Sequence, residues 1–192
     1  MKRNIDLKHA LYYMLVHTAF GCAGIVWHET SKGAGIVRIF LPAKKAALVR
    51  QIQNNFLSCG RKSCTEVDAV GAQLERFFAG EAVDFNLAML DFSVCSAFQK
   101  KVLLTEAKIP RGSISTYGRL AVKLGIPAAS RAVGHALAQN PFPPVIPCHR
   151  TVRSEGALGG FQGGLKMKRA LLEQEGITFS KAGNAVMNRV FS

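Results

Sequence analysis

Thr116-Tyr117-Gly118-Arg119-Leu120-Ala121-Val122-Lys123-Leu124-Gly125-Ile126-Pro127-Ala128-Ala129-Ser130-Arg131-Ala132-Val133-Gly134-His135-Ala136-Leu137 reads as two short helices around a glycine turn. Thr116 can cap the first, with Leu120, Ala121 and Leu124 on one face, and Gly125 can end it. Pro127 can open the second, whose inward residues are Val133 and Leu137. This is the helix-turn-helix outline, one that many helical pairs in ordinary cores share. The second helix is nearly bare: Ala129, Ser130, Ala132 and Gly134 carry small side chains or none. Arg131, about 200° round from Val133, projects from a face that can approach a groove closely. It is either a solvated arginine or one that inserts into DNA.

Upstream, Ser96-Ala97-Phe98-Gln99 has the form of a capping box opening a helix to Ile109, before Pro110 and Gly112. The texture changes near residue 92, so two domains are expected, 1–92 and 93–192. In the first, apolar segments separated by turn residues run from Leu11 to Leu41 and stop at Pro42, an antiparallel meander. Leu48, Ile52 and Phe56 predict one helix; Val70, Leu74, Phe77 and Phe78 predict another ending at Gly80. Alternation at Val83, Phe85 and Leu87 predicts a further strand. The fold class is α+β.

Downstream lies Asn140-Pro141-Phe142-Pro143-Pro144-Val145-Ile146-Pro147-Cys148-His149-Arg150, which holds four of the chain's seven prolines. They restrict the chain leading to Cys148, as expected of a segment that must hold one side chain in place. Gly156 to Gly164 then has five glycines in nine residues. The spacing and lysine of a phosphate-binding P-loop are missing, so this is a loop that approaches a ligand or moves over it.

The 192 residues are 48% hydrophobic and 19% charged, which excludes a mostly disordered chain and a disulfide miniprotein. The formal charge is +13. Residues 1–92 contribute +3 and residues 93–192 contribute +10, so the second half is the one that attracts a polyanion. Five scattered cysteines match no dense disulfide framework and point to a reducing compartment. Met1-Lys2-Arg3 precedes a stretch without charge from His9 to His28. Asp6, the glycines and the short apolar run Ala10 to Val16 argue for strands rather than a signal or a span.

Cys148 stands between Pro147 and His149-Arg150 in the basic half, where nearby cations favour the thiolate; it is the best nucleophile candidate, against a buried inert thiol. On an extended chain His149 would point away from Cys148, so a bridging water or a bend at the proline is needed to couple them. Glu175 sits just before Gly176, at the end of a helix from about Leu165, where the dipole disfavours a carboxylate. It is either a solvated terminal residue or a partner for His149.

Ile146-Pro147-Cys148-His149-Arg150, with Arg131-Ala132-Val133-Gly134, Asn140-Pro141, Thr116-Tyr117-Gly118 and the Phe98-Gln99 to Ile109-Pro110 helix, closely resembles the O6-alkylguanine-DNA alkyltransferases, also called methylated-DNA-protein-cysteine methyltransferases. The resemblance covers Phe98 to Gly176 and, more loosely, residues 11 to 92. It implies a ribonuclease-H-like first domain with an antiparallel sheet, and a mostly helical second domain carrying a winged helix-turn-helix. It also implies DNA repair by direct reversal. The alkyl group of O6-alkylguanine, and of O4-alkylthymine, passes once and irreversibly to Cys148 after base flipping through the minor groove.

The same resemblance assigns roles. His149 would act through a water as the base for Cys148, with Glu175 orienting it. Tyr117 would turn the target phosphate and donate a proton to the leaving base, and Asn140 would hold the turn and link to the relay. Arg131 would fill the vacated stack. Thr116, Tyr117, Ala129, Ser130, Ala132 and Gly134 would line the DNA contact. Thr151, Phe161, Gln162 and Cys148 would contact the base or its alkyl group. Phe161 stands where relatives commonly have tyrosine, so stacking survives without a hydroxyl contact. Cys95 stands at a position that is often glycine.

The expected partner is double-stranded DNA containing O6-alkylguanine, bound by a monomer with no obligatory protein partner and no membrane. No cofactor is expected. Cys22, His28, Cys59 and Cys64 provide no second close pair of ligands, so no metal is expected either. The expected location is the cytoplasm in a prokaryote and the nucleus in a eukaryote. A sequence-specific regulator would need base-edge readers on the second helix, where Ala128 to Ala132 offers chiefly Arg131. Alkyltransferase-like relatives replace the cysteine, which is present here.

Overall fold

The computed structural model describes residues 10–31 and 33–191. Met1-Lys2-Arg3 and Asp6, which entered the reading of a targeting signal, lie outside them. The chain divides into two units, residues 1–94 and 95–192.

The first unit is built on the strands β1 (Leu11–Thr18), β2 (Gly21–Thr30) and β3 (Gly33–Ala43), each antiparallel to the next. Pro42 lies within β3 rather than ending it. A two-residue strand β4 (Gly60–Arg61) joins β1 in parallel and gives the order β3-β2-β1-β4. The helices α1 (Lys45–Asn55) and α2 (Thr65–Phe78) cover the sheet. Tyr13, Leu15 and Val26 pack with Leu48 and Ile52 of α1, whereas Met14 and Val16 meet Gly71 of α2. Successive strand residues face opposite sides, so a sheet covered on both needs apolar residues nearly throughout. This explains the unbroken buried run Cys22–His28. Cys22 lies inside the α1-side core and Cys59 packs against it, while His28 bonds Asp91 Oδ2 at 3.0 Å.

Residues 83–87 form no strand. They run as irregular chain into a 3-10 turn at Leu87–Met89, capped by the Asn86 side chain at 2.9 Å. Val83, Phe85 and Leu87 are half-buried and alternate with exposed residues. A chain lying extended over a surface shows that period without any partner strand, and the Phe85 ring rests 5.8 Å from Phe77.

The second unit holds α3 (Ala97–Glu106), α4 (Tyr117–Lys123), α5 (Ser130–Ala138) and α6 (Gly164–Gln174), making six α-helices among the described residues. The Ser96 hydroxyl caps α3 by accepting from Gln99 N at 3.1 Å. Only half of the expected capping box forms, because the Gln99 side chain donates instead to the carbonyls of Ala136 and Gln139 at the C-terminal end of α5. The α-helical run ends at Glu106, three residues before Ile109. Thr116 caps α4 through Arg119 N at 3.2 Å, and Gly125 takes φ +75° after it. Pro127 opens a 3-10 turn, Pro127–Ala129, that leads into α5. β5 (Ser115–Thr116) pairs in parallel with β6 (Thr151–Val152), tying the start of α4 to the residues just after Cys148. No helix of the described residues is long and apolar enough to cross a membrane.

Candidate active site

Asn140 through His149 is buried without a break. Its internal bonds are tight turns: Ile146 N to Phe142 O, Cys148 N to Ile146 O and Arg150 N to Pro147 O, each 2.8 Å. Asn140 organises them. Its carboxamide donates to Ile146 O at 2.9 Å and to Cys148 Sγ at 3.2 Å, and its Oδ1 accepts from Phe142 N at 2.9 Å. Beyond Pro147 the chain bends into a 3-10 turn, Cys148–Arg150, and this bend replaces the extended geometry in which His149 would have pointed away.

Cys148 is 6% exposed and borders a cavity of about 110 Å³ with Tyr117, Gly134, Leu137, Phe161 and Gln162. Burial pushes its thiol up to about 12, against the lowering effect of the Asn140 bond. A nearby cation does favour the thiolate, since the Lys168 charge lowers Cys148, but burial outweighs it. Arg150 clamps Glu175, donating from Nε to Oε2 and from Nη2 to Oε1, both at 2.8 Å, and its Nη1 donates to Ile109 O at 2.7 Å.

Glu175 also meets His149, with Nε2 3.0 Å from Oε1. The side chains of His149 and Glu175 are 0% and 1% exposed. Burial would raise the carboxyl, but the His149 and Arg150 hydrogen bonds outweigh it and hold Glu175 down to about 2. Burial, with the Arg150 and Lys168 charges, lowers the imidazole against the raising effect of Glu175, so the resting ring is neutral. Glu175, the residue after α6, thus tolerates the unfavourable helix end because a guanidinium faces it.

The walls are close-fitting. The Tyr117 ring passes between Gly134 and Gly159; a Cβ on Gly159, where φ is +66°, would stand 2.9 Å from Tyr117 Oη. Gln162 Nε2 donates to Asn140 O at 2.7 Å, linking the glycine-rich loop to the cysteine segment. Phe161 meets the His149 ring edge to face at 6.4 Å.

Arg131 is exposed and has neither hydrogen bond nor ion pair among the described residues. Ala132 beside it is exposed, and Ala129, Ser130 and Gly134 are partly so. Thr116 is buried with its hydroxyl committed to the cap of α4. Thr151 is wholly buried, its hydroxyl donating to Glu106 Oε2 at 2.6 Å and its carbonyl accepting from Lys168 Nζ at 2.7 Å. The structure therefore gathers Tyr117, Asn140, Cys148, His149, Phe161, Gln162 and Glu175 around one cavity and its rear wall, and sets Thr151 behind it.

Glu106 and Lys168 are additions to the sequence reading, as is the pairing of Arg150 with Glu175. The signal was available: Gln99, Val102, Leu103 and Glu106 form one inward stripe of α3, and Lys168, Leu171 and Leu172 one of α6. A charged residue in phase with an apolar stripe must be buried.

Residues 97–177 match the family described as 6-O-methylguanine DNA methyltransferase, DNA binding domain. A methylated-DNA–protein-cysteine methyltransferase of Methanothermobacter thermautotrophicus is 48% identical over 105 residues, 55% of this chain and 58% of the relative. One of Shigella flexneri is 38% identical over 120 residues, 60% of this chain and 67% of the relative. The chain belongs to the methylated-DNA–protein-cysteine methyltransferase family. The crystal structure of Mycobacterium tuberculosis OGT in complex with DNA is similar in fold, with a TM-score of 0.70 at 29% identity over 85% of this chain and 92% of that one. This methyltransferase-family likeness extends through both units, whereas the match to the Methanothermobacter relative spans less than two thirds of that relative's length.

Proposed function

We propose that the protein repairs DNA by direct reversal, moving the alkyl group of O6-alkylguanine, and of O4-alkylthymine, to Cys148 once and irreversibly. The observation that carries this reading is the Cys148 sulfur at a cavity wall, held by Asn140, with the next residue, His149, paired to the buried Glu175. The duplex lies against the bare face of α5, the damaged nucleotide leaves the stack through the minor groove, and Arg131 takes its place. The first unit is of the ribonuclease-H-like type and the second carries a winged helix-turn-helix.

With Nε2 turned to Glu175, the ring atom that takes the thiol proton is Nδ1, through a bridging water. The imidazolium so formed is stabilised by the buried carboxylate. Sulfur attacks the alkyl carbon; the S–C bond forms as the C–O6 bond breaks, and the bonding pair stays with the base. Tyr117 donates its hydroxyl proton to the leaving base and is reprotonated by the relay, so the proton lost by the thiol ends on guanine. Cys148 is left as a thioether. The bridging-base route suits a thiol that rests protonated.

Exposure to a duplex bearing one labelled O6-methylguanine, followed by intact mass and peptide mapping, tests this. One added methyl per chain, on Cys148, is expected. No label on Cys148, or label retained by Cys148→Ala, overturns it.

A further inference from the structure

Behind Cys148, Glu106 of α3 and Lys168 of α6 are both 0% exposed. They meet on Thr151, three residues after the nucleophile: Thr151 donates its hydroxyl to Glu106 Oε2 and accepts Lys168 Nζ on its carbonyl. Glu106 Oε1 meets no donor among the described residues. A fully buried carboxylate with one hydrogen bond and a bare oxygen is costly, whereas the neutral acid is not. The 2.6 Å contact with the Thr151 hydroxyl serves with the proton on either oxygen.

Each other charge beside Cys148 is compensated. Arg150 is spent on Glu175, and the proton that His149 receives is balanced by the same carboxylate. Among the described residues Lys168 has only a neutral carbonyl as hydrogen-bond partner. Accordingly, and resting on the alkyl-transfer reading above, we propose that Glu106 is held as a neutral acid, so that Lys168 stays an uncompensated cation acting on the Cys148 sulfur as thiolate develops. Both are positioning residues, since they act through Thr151 and Cys148 without touching substrate.

The titration behaviour agrees. Burial pushes Glu106 up to about 8, against the lowering effects of Thr151, Lys168 and Arg150. Burial pulls Lys168 down to about 8, against Cys148 and Glu106. The groups facing the pair are Cys148, His149 and Arg150 on the turn and Tyr117 on α4; the Lys168 charge lowers Cys148, whereas a Glu106 carboxylate would raise it. The pair therefore holds a net positive charge at neutral pH and loses it in a step near pH 8.

Two measurements on the full chain test this. The first is the transfer rate from an O6-methylguanine duplex across the pH range, for the wild type and Lys168→Met. The wild type should lose rate above about pH 8, as the pair's net charge goes. Lys168→Met should be slowed about tenfold at neutral pH, the equivalent of one pKa unit on the thiol, and should lose that alkaline fall. An unchanged alkaline fall in Lys168→Met overturns the proposal. The second is a carbon-13 titration of the Glu106 carboxyl in the wild type, which needs neither transfer nor a folded variant. Titration far above the ordinary carboxyl range is expected, and titration within that range overturns the proposal. If the wild type transfers no label at any pH, the repair reading fails, and the carboxyl titration still decides the state of Glu106.

Discussion

The Asn140 side chain and the Cys148 sulfur are joined by a 3.2 Å hydrogen bond in a fully buried turn, and the same carboxamide holds Ile146 O and Phe142 N. One residue thus fixes both the position of the sulfur and the shape of the segment that presents it. Asn140→Ala leaves buried polar groups unmet, each costing about 1 kcal/mol or more, so a loss of about 3 kcal/mol in denaturant unfolding is expected. Transfer to Cys148 should slow more than stability alone explains, as measured on protein shown by circular dichroism to be folded.

Glu175→Gln removes the carboxylate that His149 and Arg150 share. The Arg150 guanidinium, with its side chain 12% exposed, keeps its bond to Ile109 O but loses its counter-charge, so destabilisation of about 3 kcal/mol is expected. Transfer should fall about a hundredfold or more, since no anion remains to stabilise the imidazolium.

The same carboxyl makes the wild type acid-sensitive. Held down to about 2 when folded, against an ordinary carboxyl when unfolded, Glu175 contributes stability that is present above about pH 4.5 and lost as pH falls towards 2. Melting temperatures measured across that window should fall more steeply for the wild type than for Glu175→Gln.

Arg131→Ala should leave stability within about 0.5 kcal/mol, because the side chain is exposed and makes no hydrogen bond or ion pair among the described residues. Transfer from a duplex should slow about tenfold or more, with transfer from a single strand nearly unaffected, since only the duplex has a stack to refill. Equal slowing on both substrates would remove Arg131 from the flipping step.

Gly159→Ala places a Cβ 2.9 Å from Tyr117 Oη at a backbone φ of +66°. The strain of that conformation, about 1 kcal/mol or more, adds to displacement of the Tyr117 hydroxyl. Transfer should fall sharply. Gly160→Ala, where nothing lies within 4 Å of the added carbon, is the control that should not show it.

Helix ends in this chain were largely readable because they depend on local chemistry: Ser96 and Thr116 cap the helices they precede, and Gly125 turns the chain after α4. The segment at 83–87 misled because an extended strip over a surface and a paired strand share a period of two, and only a partner separates them. At the candidate site, many of the residues brought together stand in short stretches with marked composition, such as Pro147-Cys148-His149-Arg150. The state of the thiol was not legible, since it turns on burial, a property of the whole packed unit. Nor were the pairings of Glu106 with Thr151 and of Arg150 with Glu175, which join residues 45 and 25 positions apart.

A thiol that rests protonated and 6% exposed also bears on how long the protein keeps. On the repair reading each molecule carries a single charge of reagent, and a standing thiolate would spend it on peroxide, disulfides or stray electrophiles before any lesion was met. Burial gives up resting reactivity for shelf life: the cell can hold an unspent stock, and the sulfur is armed only when a damaged base arrives beside it.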